Sequence, residues 1–126
     1  VETQLFGTWL TETLDLQIDA YGVDPGELTG GAFAEFIRWN VLAADHELHE
    51  FMDHTQWKPW SNRRGEIRDR DGAVEELVDV LHFIANLSVA MGITTAELNR
   101  VYEHKMAVNK QRQLDNYDSF GKSENE

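Results

Sequence analysis

The stretch Glu76-Leu-Val-Asp79-Val-Leu-His82-Phe83 decides the fold. It lies in a run from Ala73 to Met91 that contains neither Pro nor Gly, long enough for about five helical turns. On a helical wheel the apolar residues of this run, from Val74 and Leu77 through Leu81 and Ile84 to Met91, cover most of the circumference. A helix apolar nearly all round is expected to be buried on nearly all sides. One polar stripe remains, formed by Glu75, Glu76, Asp79, His82 and Asn86. Carboxylates on such a helix need a positive partner, or they take up a proton. Asp71 is the expected N-cap and Gly92 the expected stop.

A second acidic pair, Glu47-Leu-His-Glu50, lies upstream in a helical pattern over residues 32–54. Phe33, Ile37, Val41, Ala44, Leu48 and Phe51 make its core stripe, and Glu47 flanks it. Carboxylates three apart project to the same side of a helix. Two such pairs on adjacent antiparallel helices set Glu47, Glu50, Glu76 and Asp79 around one cavity. Hard oxygen donors of that kind select Mg²⁺ or Mn²⁺. One E-x-x-E alone is ordinarily a solvated face. The pair on the only polar stripe of an apolar helix is what points to a metal. Asp79-x-x-His82 also matches half of a di-iron bundle, and His82 reads equally well as a satisfied core histidine. His46, His49 and His54 lack the H-E-x-x-H arrangement of zinc sites and read as surface residues.

The 126 residues suit one domain. The absence of cysteine excludes disulfides and thiolate metal sites, which leaves oxygen and imidazole ligands. A net charge of -12 disfavours polymeric nucleic acid as a partner. No apolar run approaches a membrane span and no secretory signal opens the chain, so a cytoplasmic location is expected. The positive charge is clustered: five of the 11 Lys and Arg fall between Lys58 and Arg70. Lys105, Lys110 and Arg112 cluster later. Local basic patches on an acidic chain suit a small anion delivered with a divalent cation.

Residues 3–21 read as a first helix, with Phe6, Leu10, Leu14, Ile18 and Tyr21 at helical spacing, Trp9 beside them and Gln17 at the edge. Gly22 and Pro25 end it. Between the acidic pairs, Gln56 to Gly65 reads as a loop carrying Trp57-Lys58-Pro59-Trp60. Indoles beside a cation suit a nucleotide, with the rings stacked on a base and Lys58 on phosphate; otherwise they cap one end of the bundle. Thr94-Thr-Ala-Glu97 is a capping box for a fourth helix running to about Gln113. Tyr102, Lys105, Asn109 and Arg112 share one face of it, as an anion clamp or as partners for neighbouring acids. The expected architecture is an all-α bundle of four to five helices over residues 1–117, followed by a polar, disordered tail at 118–126.

In these motifs the chain resembles the all-α nucleoside triphosphate pyrophosphatases of the MazG-like superfamily, whose signature is E-x-x-E, a spacer, then E-x-x-D. Within it the chain is most similar to the dimeric dUTPases common in phages. Their L-x-L-Q stretch is matched by Leu14 to Gln17, and their W-K-x-W loop by Trp57 to Trp60. E-x-x-D-x-L-H-F is matched by Glu76 to Phe83, and the late Y-x-x-K…N-x-x-R-Q pattern by Tyr102, Lys105, Asn109, Arg112, Gln113 and Tyr117. Met106, Asn116 and Ala20 depart from the pattern, the last where a uracil-reading Asn is usual. The resemblance spans residues 10–117. It implies hydrolysis of dUTP to dUMP and pyrophosphate by a homodimer or a dimer of dimers. It also implies Mg²⁺ held by the four carboxylates, with Glu47 positioning or deprotonating the water. Lys105, Asn109, Arg112 and Lys58 would bind the phosphates. Gln17, His82 and Asn86 would read the base, and Trp57 or Trp60 would stack on it. The alternatives are the same chemistry on dCTP or a modified nucleotide, and a di-iron or other metal-binding bundle.

Overall fold

The computed structural model describes the backbone of residues 7–124 and the side chains of residues 7–116. Four helices follow one another: α1 Trp9–Tyr21, α2 Gly30–Asp53, α3 Arg70–Ala90 and α4 Thr95–Glu124, with a 3-10 turn at Pro25–Glu27. Among the described residues the only extended pairing is a single antiparallel bridge between Thr55 and Ile67, so the protein is all-α. Phe6, the expected start of the first helix at residue 3 and the Tyr117 side chain lie outside the described residues.

The helix ends follow local chemistry. Gly22 takes φ 67° after α1 and donates its N–H to Ile18 O at 3.1 Å, a left-handed cap that costs glycine nothing. The N-cap of α3 is Asp69, not Asp71: its carboxylate accepts the Gly72 N–H at 3.0 Å. The helix therefore starts earlier than expected. For α4 the capping-box reading holds, because Thr94 Oγ1 accepts the Glu97 N–H at 3.2 Å. The helix then continues well past Gln113, to Glu124.

Helices α2 and α3 lie against each other, and α1 and the 3-10 turn pack on α3. Leu10, Ala85 and Val89 form the buried core, with Trp9, Leu14 and Leu98 packed against it. Helix α4 leaves this group. It bends 111° from α3 and has only glancing contact with the other helices. Within one chain α3 is consequently not covered on all sides as its composition predicts: Leu77, Val78, Leu81 and Ile84 are exposed, Leu81 to 47%. Two helices cannot wrap a third, and α4 does not complete the ring.

The inward faces are also rotated from the apolar stripes. On α2, Val41 and Leu48 are exposed and Asn40 is buried at 7%, with Glu47 half-buried. On α1, Ile18 and Tyr21 are exposed while Thr13 is buried. Polar side chains thus occupy positions that face α3. Among the described residues no single helix is long and apolar enough to cross a membrane.

Candidate active site

The antiparallel pairing of α2 with α3 brings one carboxylate oxygen each of Glu47, Glu50 and Glu76 within 4.8 Å of one another. One oxygen of Glu47 and one of Glu76 are buried without a hydrogen-bond partner. Three negative charges so close repel strongly in a partly desolvated site, so either a proton or a cation must come between them. The proton answer is visible in the acidities. The Glu47 carboxyl is pushed up from 4.5 to about 7, first by its hydrogen bond to Glu76, then by burial, then by the Glu50 charge. The Glu76 carboxyl is held below its ordinary value, mainly by that same hydrogen bond and with help from His54. The cation answer fits the same atoms. A set of hard carboxylate oxygens, two of them buried and unpartnered, is what a Mg²⁺- or Mn²⁺-sized ion would satisfy.

His54 corrects the surface reading of the histidines. It caps the C-terminus of α2, with Nε2 3.5 Å from Glu76 Oε1 and Nδ1 3.7 Å from Asp69 Oδ2. Gly72 makes this possible, since a Cβ there would sit 2.6 Å from the His54 ring. His46 and His49 do stand on the surface, His46 pairing with Glu50 at 2.8 Å. Asp79 lies one turn beyond Glu76 and outside the carboxylate triad. It lines the neighbouring cavity instead.

That cavity, about 270 Å³, opens between α1 and α3. It is lined by Trp9, Thr13 and Gln17 on one side and by Asp79, His82, Phe83 and Asn86 on the other. The structure thus gathers Gln17, His82 and Asn86. Asp79 and His82 line this cavity together, apart from the carboxylate triad. Gln17 Nε2 donates to Asn86 Oδ1 at 3.1 Å. Asn86 Nδ2 donates to Asn40 Oδ1 at 2.8 Å, and Asn40 Nδ2 donates to the Phe36 carbonyl at 2.8 Å. Asn40 and Trp9 were not among the sequence candidates. An Asn inside the core pattern of α2 was the available signal for the first.

The remaining candidates stand apart from this cavity. Trp57 and Trp60 are exposed and meet edge to face, 6.5 Å between centroids. Lys58 Nζ lies 5.8 Å over the Trp60 ring. Trp57 and Lys58 line a separate recess with Asp53, Thr55, Gln56 and Arg68. The Thr55–Ile67 bridge and the Gln56 N–H to Glu66 O bond of 2.7 Å staple the base of their loop. Lys105, Asn109 and Arg112 are exposed on α4. The single chain brings them to neither the triad nor the cavity.

An all-helical frame with a carboxylate triad between α2 and α3, beside an amide-lined cavity, has the form of an all-α nucleotide pyrophosphohydrolase. The sequence model of a family described as dUTPase matches residues 10–97, more than half of the chain. The chain belongs to that dUTPase family, and it is a nucleotide pyrophosphohydrolase of the dUTPase type. No curated protein and no solved structure matches it.

Proposed function

We propose that the protein hydrolyses dUTP to dUMP and pyrophosphate with Mg²⁺, or Mn²⁺ in its place. The observation that carries this reading is the convergence of Glu47, Glu50 and Glu76, with two buried unpartnered oxygens, one helical turn from a cavity lined by amides. From Glu76 to Asn86 along α3 is about 15 Å at 1.5 Å per residue. That length suits a nucleotide with its phosphates at the triad and its base beside Gln17.

Glu47, Glu50 and Glu76 would hold the cation, with Asp79 reaching it from the next turn. The bound cation would polarise the α-phosphoryl group and make a coordinated water more acidic. Glu47 would orient the attacking water and accept its proton. Water oxygen bonds to the α-phosphorus, the bond from that phosphorus to the bridging oxygen breaks, and pyrophosphate leaves. Cations would stabilise the charge that develops on it: Lys58 from the loop, and Lys105 and Arg112, with Asn109, from α4. Gln17, His82 and Asn86 would face the base. Trp9 lines the cavity and is better placed to stack on a base than Trp57 or Trp60.

The exposed apolar residues of α3 and the unpaired course of α4 support assembly into a homodimer or a dimer of dimers. The test is an assay of the purified protein with each dNTP and Mg²⁺ that resolves monophosphate from diphosphate products. Release of dUMP and pyrophosphate, fastest from dUTP, is the expected result. Release of dUDP and phosphate, or no turnover of any dNTP, removes the reading.

A further inference from the structure

We propose that Asn40, which touches neither the cavity nor the acidic triad, is a positioning residue that sets the base preference through Asn86 and Gln17. This inference rests on the nucleotide-hydrolase reading of the same cavity.

The argument turns on what each atom is able to do. A side-chain amide is ambivalent: rotated by half a turn, it exchanges its donor for its acceptor. A backbone carbonyl has no such freedom and only accepts. The Asn40 atom 2.8 Å from the Phe36 carbonyl must therefore be the nitrogen. The Asn40 oxygen then faces Asn86 and requires a donor, so Asn86 presents Nδ2. Asn86 Oδ1 in turn faces Gln17 and requires Nε2. One fixed carbonyl on α2 thus determines the sense of three amides in series. Asn40 and Asn86 are both buried, at 7% and 9% exposure, so reversing either sets two like atoms against each other where water does not compensate.

The end of this series is Gln17, in the wall of the cavity. With one Nε2 hydrogen committed to Asn86, Gln17 offers Oε1 as an acceptor and its second N–H as a donor. Uracil presents N3–H as a donor beside carbonyl acceptors, which is complementary to that pair. Cytosine presents an acceptor at N3 beside an exocyclic amino donor, which is the reverse. A freely rotating Gln17 amide would serve both bases. One held in sense by the relay favours uracil.

The test compares kcat/KM for dUTP and dCTP in the wild type, in Asn40→Leu and in Asn40→Asp. Asn40→Leu removes the link to the carbonyl at similar volume, and the dUTP:dCTP ratio should fall about tenfold, the scale of one buried hydrogen bond. Asn40→Asp, protonated towards the Phe36 carbonyl, still offers Asn86 an acceptor and should keep the ratio. A purely packing role for Asn40 predicts that both rates fall together with the ratio unchanged, and that result overturns the inference. If Asn40→Leu does not fold, the wild type decides. The side-chain amide protons of Asn40 and Asn86 should exchange slowly with solvent, and exchange of either at the rate of a free amide overturns the relay. A wild type that hydrolyses dUTP and dCTP equally removes this inference while leaving the pyrophosphohydrolase reading. A wild type that hydrolyses neither but turns over another dNTP likewise removes this inference alone, and one that turns over no dNTP removes both.

Discussion

At Glu47 the fold holds a proton that an unfolded chain would release. Its carboxyl titrates near 7 rather than 4.5 because it shares a hydrogen bond with Glu76 beside Glu50. Between those two values the folded state binds more protons than the unfolded state, so stability must fall as pH rises. The Glu76 shift has the opposite sign, but it acts below the ordinary carboxyl range and does not cancel this window. In chelator, the melting temperature should therefore decline from about pH 4.5 to about 7, and Glu47→Gln should flatten the decline; a flat wild-type profile would contradict the shared proton. Gly72 gives a second prediction. An added Cβ would meet Asp69 Oδ2 at 2.5 Å and the His54 ring at 2.6 Å. Ala in place of Gly favours a helix by up to about 1 kcal/mol, yet displacing the Asp69 cap alone costs about as much, and His54 must also move. Gly72→Ala should lower the melting temperature and disturb the contact between His54 and Glu76; a variant more stable than wild type would show that the side chains yield freely. The convergence of Glu47, Glu50 and Glu76 was legible in the sequence because acids three apart recur on two helices, while Asp79 falls outside their cluster. His54 was not, since its role depends on where the loop from Thr55 to Arg68 returns the chain.

On the scale of the elements, the apolar stripes located α1, α2 and α3, and a capping box located α4, but the stripes misplaced which side faces inward. The reason is chemical. Thr13 and Gln17 on α1, Asn40 and Glu47 on α2, and Glu76 and Asn86 on α3 are polar, so a stripe drawn through apolar residues steps round them. They turn inward because they have one another to bond: the amide relay satisfies three, and the acidic triad joins two more to Glu50. A helix face that conceals polar groups from water retains them only when each finds a partner. The triad lacks that for two oxygens, which is why it is the place to perturb. Glu50→Gln and Glu76→Gln should each lower turnover by at least about a hundredfold, as loss of a cation's ligand does. Asp79→Asn should do the same if Asp79 closes the coordination from its turn of α3. Full activity in excess chelator would refute the cation altogether.

For the molecule as a whole, the telling feature is that α4, after Leu98 packs on the core, departs from its own bundle. It carries Lys105, Asn109 and Arg112, the cations and amide suited to a triphosphate, yet the chain's own carboxylates lie elsewhere. Meanwhile Leu77, Leu81 and Ile84 on α3 and Trp39 and Leu42 on α2 are exposed. The direction of α4 could not be read from the sequence, because a capping box fixes where a helix starts and says nothing of its neighbour. A second copy would cover the apolar face and set α4 against another subunit's site. Sedimentation at micromolar concentration should accordingly give a dimer or a dimer of dimers, and a monomer would contradict this. The sharper test is complementation. Glu76→Gln removes a carboxylate from its own chain's site, and Arg112→Ala removes a cation from α4; each alone should leave little activity. When the two variants are co-expressed at equal levels, about half of the dimers are mixed. If α4 serves the partner's site, each mixed dimer has one complete site, and activity should return to about a quarter of wild type. If α4 serves its own chain, every site in the mixture carries one defect and no activity returns.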